Sequence, residues 1–305
     1  MPCYKPLKAT LWKGAKSNGK SSLSFNPSHF GRTSHGGVPT PIPCGQCIGC
    51  RLERSRQWAV RLVKELRLHD RSSFLTLTYD DAHLPRLPSG KPTLVLEDVQ
   101  LFLKRLRREF EPHPLRFFQC GEYGDGQGRP HHHMILFGED FCLDRTSIRS
   151  SASGYAQFES ATLSRLWGKG FCTISQVTFE SAAYVARYSL KKITGKGSKF
   201  FYAGAKPEFV TMSRRPGIGS GYFDEFKDDI YPSDTVIPSI GRPASLPPKY
   251  FDKLLERVDP ALHTLVKKKR QEGLDFWNDP NSTDTRLETR ERVKASLIKN
   301  TLRRS

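Results

Sequence analysis

The chain has 305 residues, which suits about two domains. Lys and Arg number 49 against 31 Asp and Glu, a formal charge of +18, and 19 Phe, 10 Tyr and 4 Trp supply a core, so a disordered chain, a collagen and a long coiled coil are excluded. No apolar run approaches the ~20 residues of a spanning helix and the N-terminus carries no secretory pattern, so no membrane association is expected.

In chain order, residues 1–43 read as a polar arm. Two short extended stretches, 7–12 and 22–25, flank Asn18-Gly19, a hairpin-turn signal. Gly14 to Ser21 (GAKSNGKS) matches the phosphate-binding P-loop, but its sequel Ser-Leu-Ser-Phe-Asn-Pro is no helix, so neither a nucleotide site nor a motor is expected. A Gly/Pro/His-rich connector covers residues 31–43. Then Cys44, Cys47 and Cys50 follow with two residues between each, and Cys3 is a candidate fourth. Four thiols suit a structural Zn²⁺, or an iron–sulfur cluster; three reduced cysteines in a tight turn are the plain alternative. The chain's 7 cysteines are an odd count without secretory context, which favours a reducing compartment over a disulfide framework. Cys120, Cys142 and Cys172 read as buried thiols.

Residues 52–68 form an amphipathic helix with Trp58, Leu62 and Leu66 on one stripe and Val63 beside it. Residues 51–71 hold seven basic and three acidic side chains. Arg51, Arg54, Arg56, Arg61, Lys64 and Arg67 are candidates to track phosphates, against the plain reading of a solvated face.

The middle alternates: strand 74–79, helix 97–110, strand 115–123, turn 124–130, strand 131–138, helix 158–167, strand 171–177 and helix 181–193. This β-α-β-β-α-β order is the split βαβ pattern. It predicts an α+β fold, an antiparallel ferredoxin-like or RRM-like sheet with helices on one face. Beyond Pro207 the chain reads as irregular, then as a Pro-rich linker over 231–248 and two or three solvated, basic helices.

The most informative stretch is Gly121 to Phe137 (GEYGDGQGRPHHHMILF). Strand alternation points His131 and His133 to one face and His132 to the other. The glycine-rich turn makes the flanking strands antiparallel neighbours, so Glu122 meets the histidines at one end of the sheet. Two imidazoles and one carboxylate leave coordination positions open, as a catalytic ion needs, and the set suits Mg²⁺ or Mn²⁺ with phosphate. A solvent-exposed polar strand end is the plain alternative. In residues 181–193 (SAAYVARYSLKKI), Tyr184 and Tyr188 lie four apart and share a helix face that Lys191 continues. A phenol has a pKa near 10 and needs a nearby cation to act as a nucleophile at neutral pH; the alternative is two core tyrosines.

These segments resemble the rolling-circle replication initiators of the His-hydrophobe-His superfamily, closest to those of the microviruses and, within them, the gokushovirus branch. The resemblance covers residues 1 to about 225. It rests on Pro43 to Trp58, Phe74 to Asp81, Gly121 to Gly138, Tyr184 to Lys192 and Pro207 to Gly219. It implies an N-terminal arm (1–50), a nicking and joining endonuclease domain (51–225) and a C-terminal extension (226–305). It implies a metal-dependent strand transferase, with His131, His133 and Glu122 holding the ion. One tyrosine attacks single-stranded origin DNA, forms a 5′-phosphotyrosine and frees a 3′-OH; the second resolves the product. Tyr188 with Lys191 three later also fits the one-tyrosine pattern, which favours Tyr188 as first attacker. Where the family carries an apolar middle residue this chain has His132, so the sequence permits His132 to contribute. Arg214 and Arg215 look like a DNA-contacting loop, and Tyr79, Phe201 and Tyr202 are candidates to stack on bases. The implied partners are a phage origin, a host helicase and a host DNA polymerase, in the bacterial cytoplasm. The rival readings are a plasmid initiator or transposase of the same superfamily, a catalytically silent nucleic-acid-binding module, and a hydrolase whose tyrosines are core.

Overall fold

The computed structural model describes residues 3–12, 22–29, 36–124, 128–150, 156–188, 198–272, 276 and 278–304, without the side chains of 149, 150, 188 and 300–304. In chain order the elements begin with β1 (Leu7–Trp12), β2 (Ser22–Ser24), β3 (Gly37–Ile42), α1 (Ile48–Leu66), β4 (Ser72–Thr78), α2 (Leu96–Glu109), β5 (Arg116–Tyr123) and β6 (Pro130–Phe137). Then come β7 (Arg145–Ser150), β8 (Ala156–Ser160), α3 (Ala161–Trp167), β9 (Cys172–Ser175), α4 (Phe179–Tyr188), α5 (Ser198–Tyr202) and β10 (Phe209–Met212). Four helices follow: α6 (Ser220–Ile230), α7 (Lys249–Val258), α8 (Pro260–Gln271) and α9 (Asp284–Arg304). The chain divides into two compact units, Met1–Arg54 with Lys268–Ser305, and Ser55–Lys267.

In the first unit, β1 pairs antiparallel with β2, as the hairpin reading expects, although Asn18-Gly19 and the P-loop look-alike lie outside the described residues. The residues after that look-alike form β2 and not a helix. The connector reading of 31–43 is corrected, because 37–42 are the strand β3 on the other side of β1. Pro39 and Pro41 face Thr10 and Lys8 on an edge strand, where alternate backbone N–H groups point away from the sheet and prolines cost no ladder bond. Leu287 of α9 is buried in this unit with Tyr4 and Cys47.

In the second unit the described strands order as β10-β5-β6-β4-β9-β8-β7, every neighbour antiparallel. The inner order β9-β4-β6-β5 is what the split βαβ pattern predicts. The flanking strands were not expected. Residues 158–167 do not form one helix, since Phe158 lies in β8. Ser160 caps α3 by accepting from Leu163 N at 3.0 Å, and Gly168 ends it in the left-handed region at φ 64°. Phe209–Met212, read as irregular, pairs with β5 and shields its edge.

Helices cover both faces. Leu75, Leu77, Met134 and Leu136 pack against α2 and α3 through Val99, Phe102, Leu106, Leu163 and Trp167, so the two helices of the split βαβ do share a face. The alternate residues Phe74, Ile135, Phe137, Phe118 and Cys120 pack against Leu62 of α1 and Ala182 and Val185 of α4. The inner half of β6 thus reads apolar on both sides, as a doubly covered strand requires. The region beyond 207 is less solvated than its composition suggests. Tyr222, Phe223, Ile230, Phe251, Leu255 and Val266 form a core of their own. Among the described residues no helix is long and apolar enough to cross a membrane.

Candidate functional site

β6 runs between β4 and β5, so its residues from His131 on have a neighbour on either side. His131 lies opposite Glu122 of β5 and Thr78 of β4; His133 lies opposite Cys120 and Thr76. All of these share the α1/α4 face. Along β6 that face changes from His131 and His133 at the turn to Ile135 and Phe137 inside, so the polar set sits at the rim of an apolar layer. In the turn, Arg129 bonds Asp81 Oδ1 at 2.6 Å and the Tyr79 carbonyl at 2.8 Å, tying β6's start to β4's end.

The donor set fits a divalent cation. One ligand atom each from Glu122, His131 and His133 lies within 4.8 Å of the others. Glu122 Oε1 is 2.6 Å from His131 Nε2 and 3.2 Å from His133 Nε2. His131 Nδ1 faces the Arg129 carbonyl at 3.2 Å, and a carbonyl only accepts, so Nδ1 carries a proton and Nε2, aimed at Glu122, is the ring atom placed to ligate. Thr76 Oγ1 sits 3.1 Å from His133 Nδ1 and turns that ring the same way; Phe74 stacks on it at 5.5 Å. Burial alone would raise the Glu122 carboxyl, but hydrogen bonds and charge from His131 and His133 outweigh it and hold it below the usual carboxylate range.

His132 takes the other face. It is fully buried, Tyr79 Oη lies 3.1 Å from its Nε2, and Trp167 stands edge-on at 5.9 Å. Tyr79 donates to Asp98 Oδ2 at 2.9 Å, and Lys169 Nζ reaches Asp98 Oδ1 at 3.0 Å. Burial, then the positive neighbours, bring the His132 imidazole down to about 3, so it is neutral and fills the apolar position of the motif. Gly121 makes room for it, since a Cβ there would stand 3.1 Å from His132 Nδ1.

α4 begins with a reciprocal pair, Ser181 N to Thr178 Oγ1 at 3.1 Å and Thr178 N to Ser181 Oγ at 2.8 Å. Ala182, Val185 and Ala186 are buried, while Tyr184 is 36% exposed. The Tyr184 ring meets the His133 ring edge-on at 5.3 Å. Tyr188 closes α4 one turn later with its side chain outside the described residues, as is all of Lys191.

Not every candidate cation is available to DNA. Arg61 lies between the Trp58 and Tyr250 rings at 4.0 and 3.9 Å and donates to the Ile218 carbonyl, so it is a packing residue. Arg56 is spent on Ser245 Oγ and the Leu246 carbonyl, and Lys64 is buried over Tyr222. Arg54, Arg67, Arg214 and Arg215 are exposed and Arg51 is half-buried. The Arg214–Arg215 turn follows β10, whose Met212 pairs with Phe118, so it sits toward the end of β5 remote from Glu122. Tyr79 and Tyr202 are buried and cannot stack on bases; Phe200 and Phe201 are exposed. Cys3, Cys44, Cys47 and Cys50 come together, with their Sγ atoms within 4.8 Å of one another. Cys120 and Cys172 are buried as expected, but Cys142, on a turn after β6, is exposed.

Sequence reasoning missed Thr76, Phe74 and Arg129. Alternation puts Thr76 on the other face of β4 from Leu75 and Leu77, but only the β4/β6 register shows that His133 is its partner.

Residues 72–193 match the family model for Replication-associated protein ORF2/G2P. The chain is 37% identical over 280 residues to Replication-associated protein ORF2 of Spiroplasma virus 4, covering 89% of this chain and 86% of that one. It is 31% identical over 261 residues to Replication-associated protein VP4 of Bdellovibrio phage phiMH2K, covering 83% and 76%. To Replication-associated protein ORF4 of Chlamydia phage 1 it is 31% identical over 225 residues, covering 72% and 54%. No solved structure matches.

Proposed function

The chain belongs to the phage replication-associated proteins, and from that premise we propose that it starts rolling-circle DNA replication by cutting and rejoining one strand through a tyrosine. The observation that carries this reading is the Tyr184 ring against His133, on the face where Glu122, His131 and His133 converge.

The Nε2 atoms of His131 and His133 and the Glu122 carboxylate would hold Mg²⁺ or Mn²⁺. When bound, such an ion supplies Lewis-acid polarisation of a phosphate oxygen. Thr76 and the Arg129 carbonyl keep both rings aimed, so the ligand set is ordered in advance. The Tyr184 phenol oxygen attacks phosphorus and a P–Oη bond forms. The P–O3′ bond breaks, the phenol proton passes to solvent, and the 3′-oxygen leaves as the hydroxyl that primes synthesis. Tyr184 takes the first attack in place of Tyr188, which the one-tyrosine pattern favours, because the Tyr184 ring is the one described beside His133; Tyr188, one turn on, is the second nucleophile that resolves the product. Arg54, Arg67, Arg214 and Arg215 contribute phosphate contacts. Origin DNA is the substrate, in the bacterial cytoplasm. A host helicase opens the duplex, and a host polymerase extends the 3′-end.

A silent RRM-like module would need an open sheet face. Here both faces of the inner strands carry helices, which weighs against that reading. The test uses the full chain, Mn²⁺, and 5′- or 3′-labelled single-stranded oligonucleotides tiled across the replicon. A covalent adduct on the 3′-labelled fragment is expected, lost in Tyr184→Phe with Mn²⁺ binding retained. Cleavage without adduct would assign attack to water, and binding without cleavage would restore the silent module. An adduct that survives in Tyr184→Phe and vanishes in Tyr188→Phe would exchange the two tyrosines.

A further inference from the structure

We propose that Cys3, Cys44, Cys47 and Cys50 bind one structural Zn²⁺ ion that clasps the N-terminal sheet to helix α9. The inference is independent of the strand-transfer reading.

Three of the thiols come from one turn, and the fourth is 41 residues upstream of Cys44. The register explains how they meet. Leu7 pairs with Ile42 across β1 and β3, so the chain entering β1 and the chain leaving β3 lie side by side, carrying Cys3 and Cys44. The Sγ atoms of Cys3 and Cys47 are 3.8 Å apart, far beyond a disulfide bond. A tetrahedral ion with bonds of ~2.3 Å sets its sulfurs about 3.8 Å from one another.

Backbone amides point at the sulfurs. Gln46 N and Cys47 N lie 3.4 and 3.3 Å from Cys44 Sγ, Cys50 N lies 3.5 Å from Cys47 Sγ, Tyr4 N 3.3 Å from Cys47 Sγ, and Cys44 N 3.2 Å from Cys3 Sγ. Amide donors stabilise thiolate charge and fix the sulfurs before the ion arrives. Gly45 at φ +75° makes the turn that turns those amides inward, and a Cβ there would stand 3.7 Å from the Arg54 guanidinium, which adds a positive charge to the same loop. Four protein ligands leave no open position, so the ion is structural. Binding costs the four thiols their protons, one per Zn–S bond.

The clasp also reaches α9. Leu287 is 1% exposed beside Tyr4 and Cys47. Glu291 meets Lys5 Nζ at 3.3 Å and Ile48 N at 3.4 Å. The four-sulfur set therefore lies under the contacts that tie the two sequence ends of this unit together.

The experiment measures metal in the full chain purified under reducing conditions. One zinc per chain is expected, retained in the His131→Ala/His133→Ala variant and lost in Cys47→Ser. Because Cys47→Ser can fail to fold, the wild-type chain is also titrated with a mercurial, which should release one zinc as the four cluster thiols react, beyond the equivalent that the exposed Cys142 takes up. Exchange with Co²⁺ should give thiolate charge-transfer bands and the intense visible absorption of a tetrahedral site. Stripping the zinc should expose residues near both chain ends to protease together. Zinc that follows the histidines, a cobalt spectrum without thiolate bands, or stoichiometric iron and sulfide would overturn the proposal.

Discussion

Two buried carboxylates stand toward opposite ends of one sheet face. Glu122 projects from β5 beside His131 and His133; Glu65 projects from α1 onto Arg116, six residues back along the same strand face. Each side chain is 3% exposed. In each case burial pushes the carboxyl up and its partners pull it below the usual range. The difference lies in the partners. Glu65 receives Arg116 Nε at 2.5 Å and Gly219 N at 2.6 Å, with His69 at 3.3 Å. A guanidinium and an amide have no lone pair to offer, and His69 is the single imidazole there, so that cluster lacks the two-imidazole set that Glu122 has. The partners of Glu122 are imidazoles, which would become ligands were an ion to replace the shared proton. Burial and charge alone do not separate an anchor from a metal centre; the replaceability of the donors does.

The largest effect should come from Glu122→Gln. Metal-dependent strand cutting is expected to fall at least ~10³-fold, on the order of 4 kcal/mol, with little change in the thermal midpoint. Single-turnover assays over an Mn²⁺ series check the first and calorimetry the second. A variant that cuts at near wild-type rate would remove Glu122 from the site.

Glu65→Gln should do the reverse. It leaves the half-buried Arg116 without its counter-charge and is expected to cost about 3 kcal/mol of stability by urea titration, while the folded fraction binds Mn²⁺ as the wild type does. pH sharpens the contrast. The folded Glu65 carboxyl titrates below its unfolded value of ~4.3, so its stabilisation is complete above that value. It is lost as pH falls through the lower folded value. Between those limits the wild type should lose stability with falling pH more steeply than Glu65→Gln. Parallel curves would show that the charge of Glu65 is not what stabilises the fold.

His132→Leu puts the apolar residue of the motif in place of the neutral imidazole. It is expected to cost about 2 kcal/mol, because Tyr79 loses a partner inside a dry pocket, with Mn²⁺ affinity held within threefold. Loss of Mn²⁺ binding would return His132 to the ligand set.

The meeting of Glu122, His131 and His133 was legible in the sequence because its determinants are local. The glycine-rich turn fixes β5 and β6 as a hairpin, and alternation then sorts three histidines without further information. Glu65 with Arg116, Arg61 between Trp58 and Tyr250, and Thr76 beside His133 were not legible. Each depends on a register or on a partner remote in sequence, and no periodicity encodes it. β3 was hidden by Pro39 and Pro41, which argue against a strand until it is known to be an edge. β8 was hidden because Phe158 precedes the apolar Leu163, Leu166 and Trp167 closely enough to be read into one helix with them, although Ser160 interrupts it.

The smallest expected effect probes one of those invisible contacts. Thr76 and Thr78 are alternate residues of β4 on the metal face, and their hydroxyls go to different places. Thr76 Oγ1 faces His133 Nδ1 at 3.1 Å, whereas Thr78 Oγ1 donates to the Phe171 carbonyl at 2.8 Å. Valine keeps the shape of either side chain and deletes the hydroxyl. Thr76→Val should therefore weaken Mn²⁺ binding ~10-fold, the lower end of what losing an orienting partner costs, while Thr78→Val leaves the affinity unchanged and lowers only stability. Titration calorimetry on the two variants decides it. Equal affinities would mean that stacking on Phe74 alone holds the His133 ring in its ligating orientation.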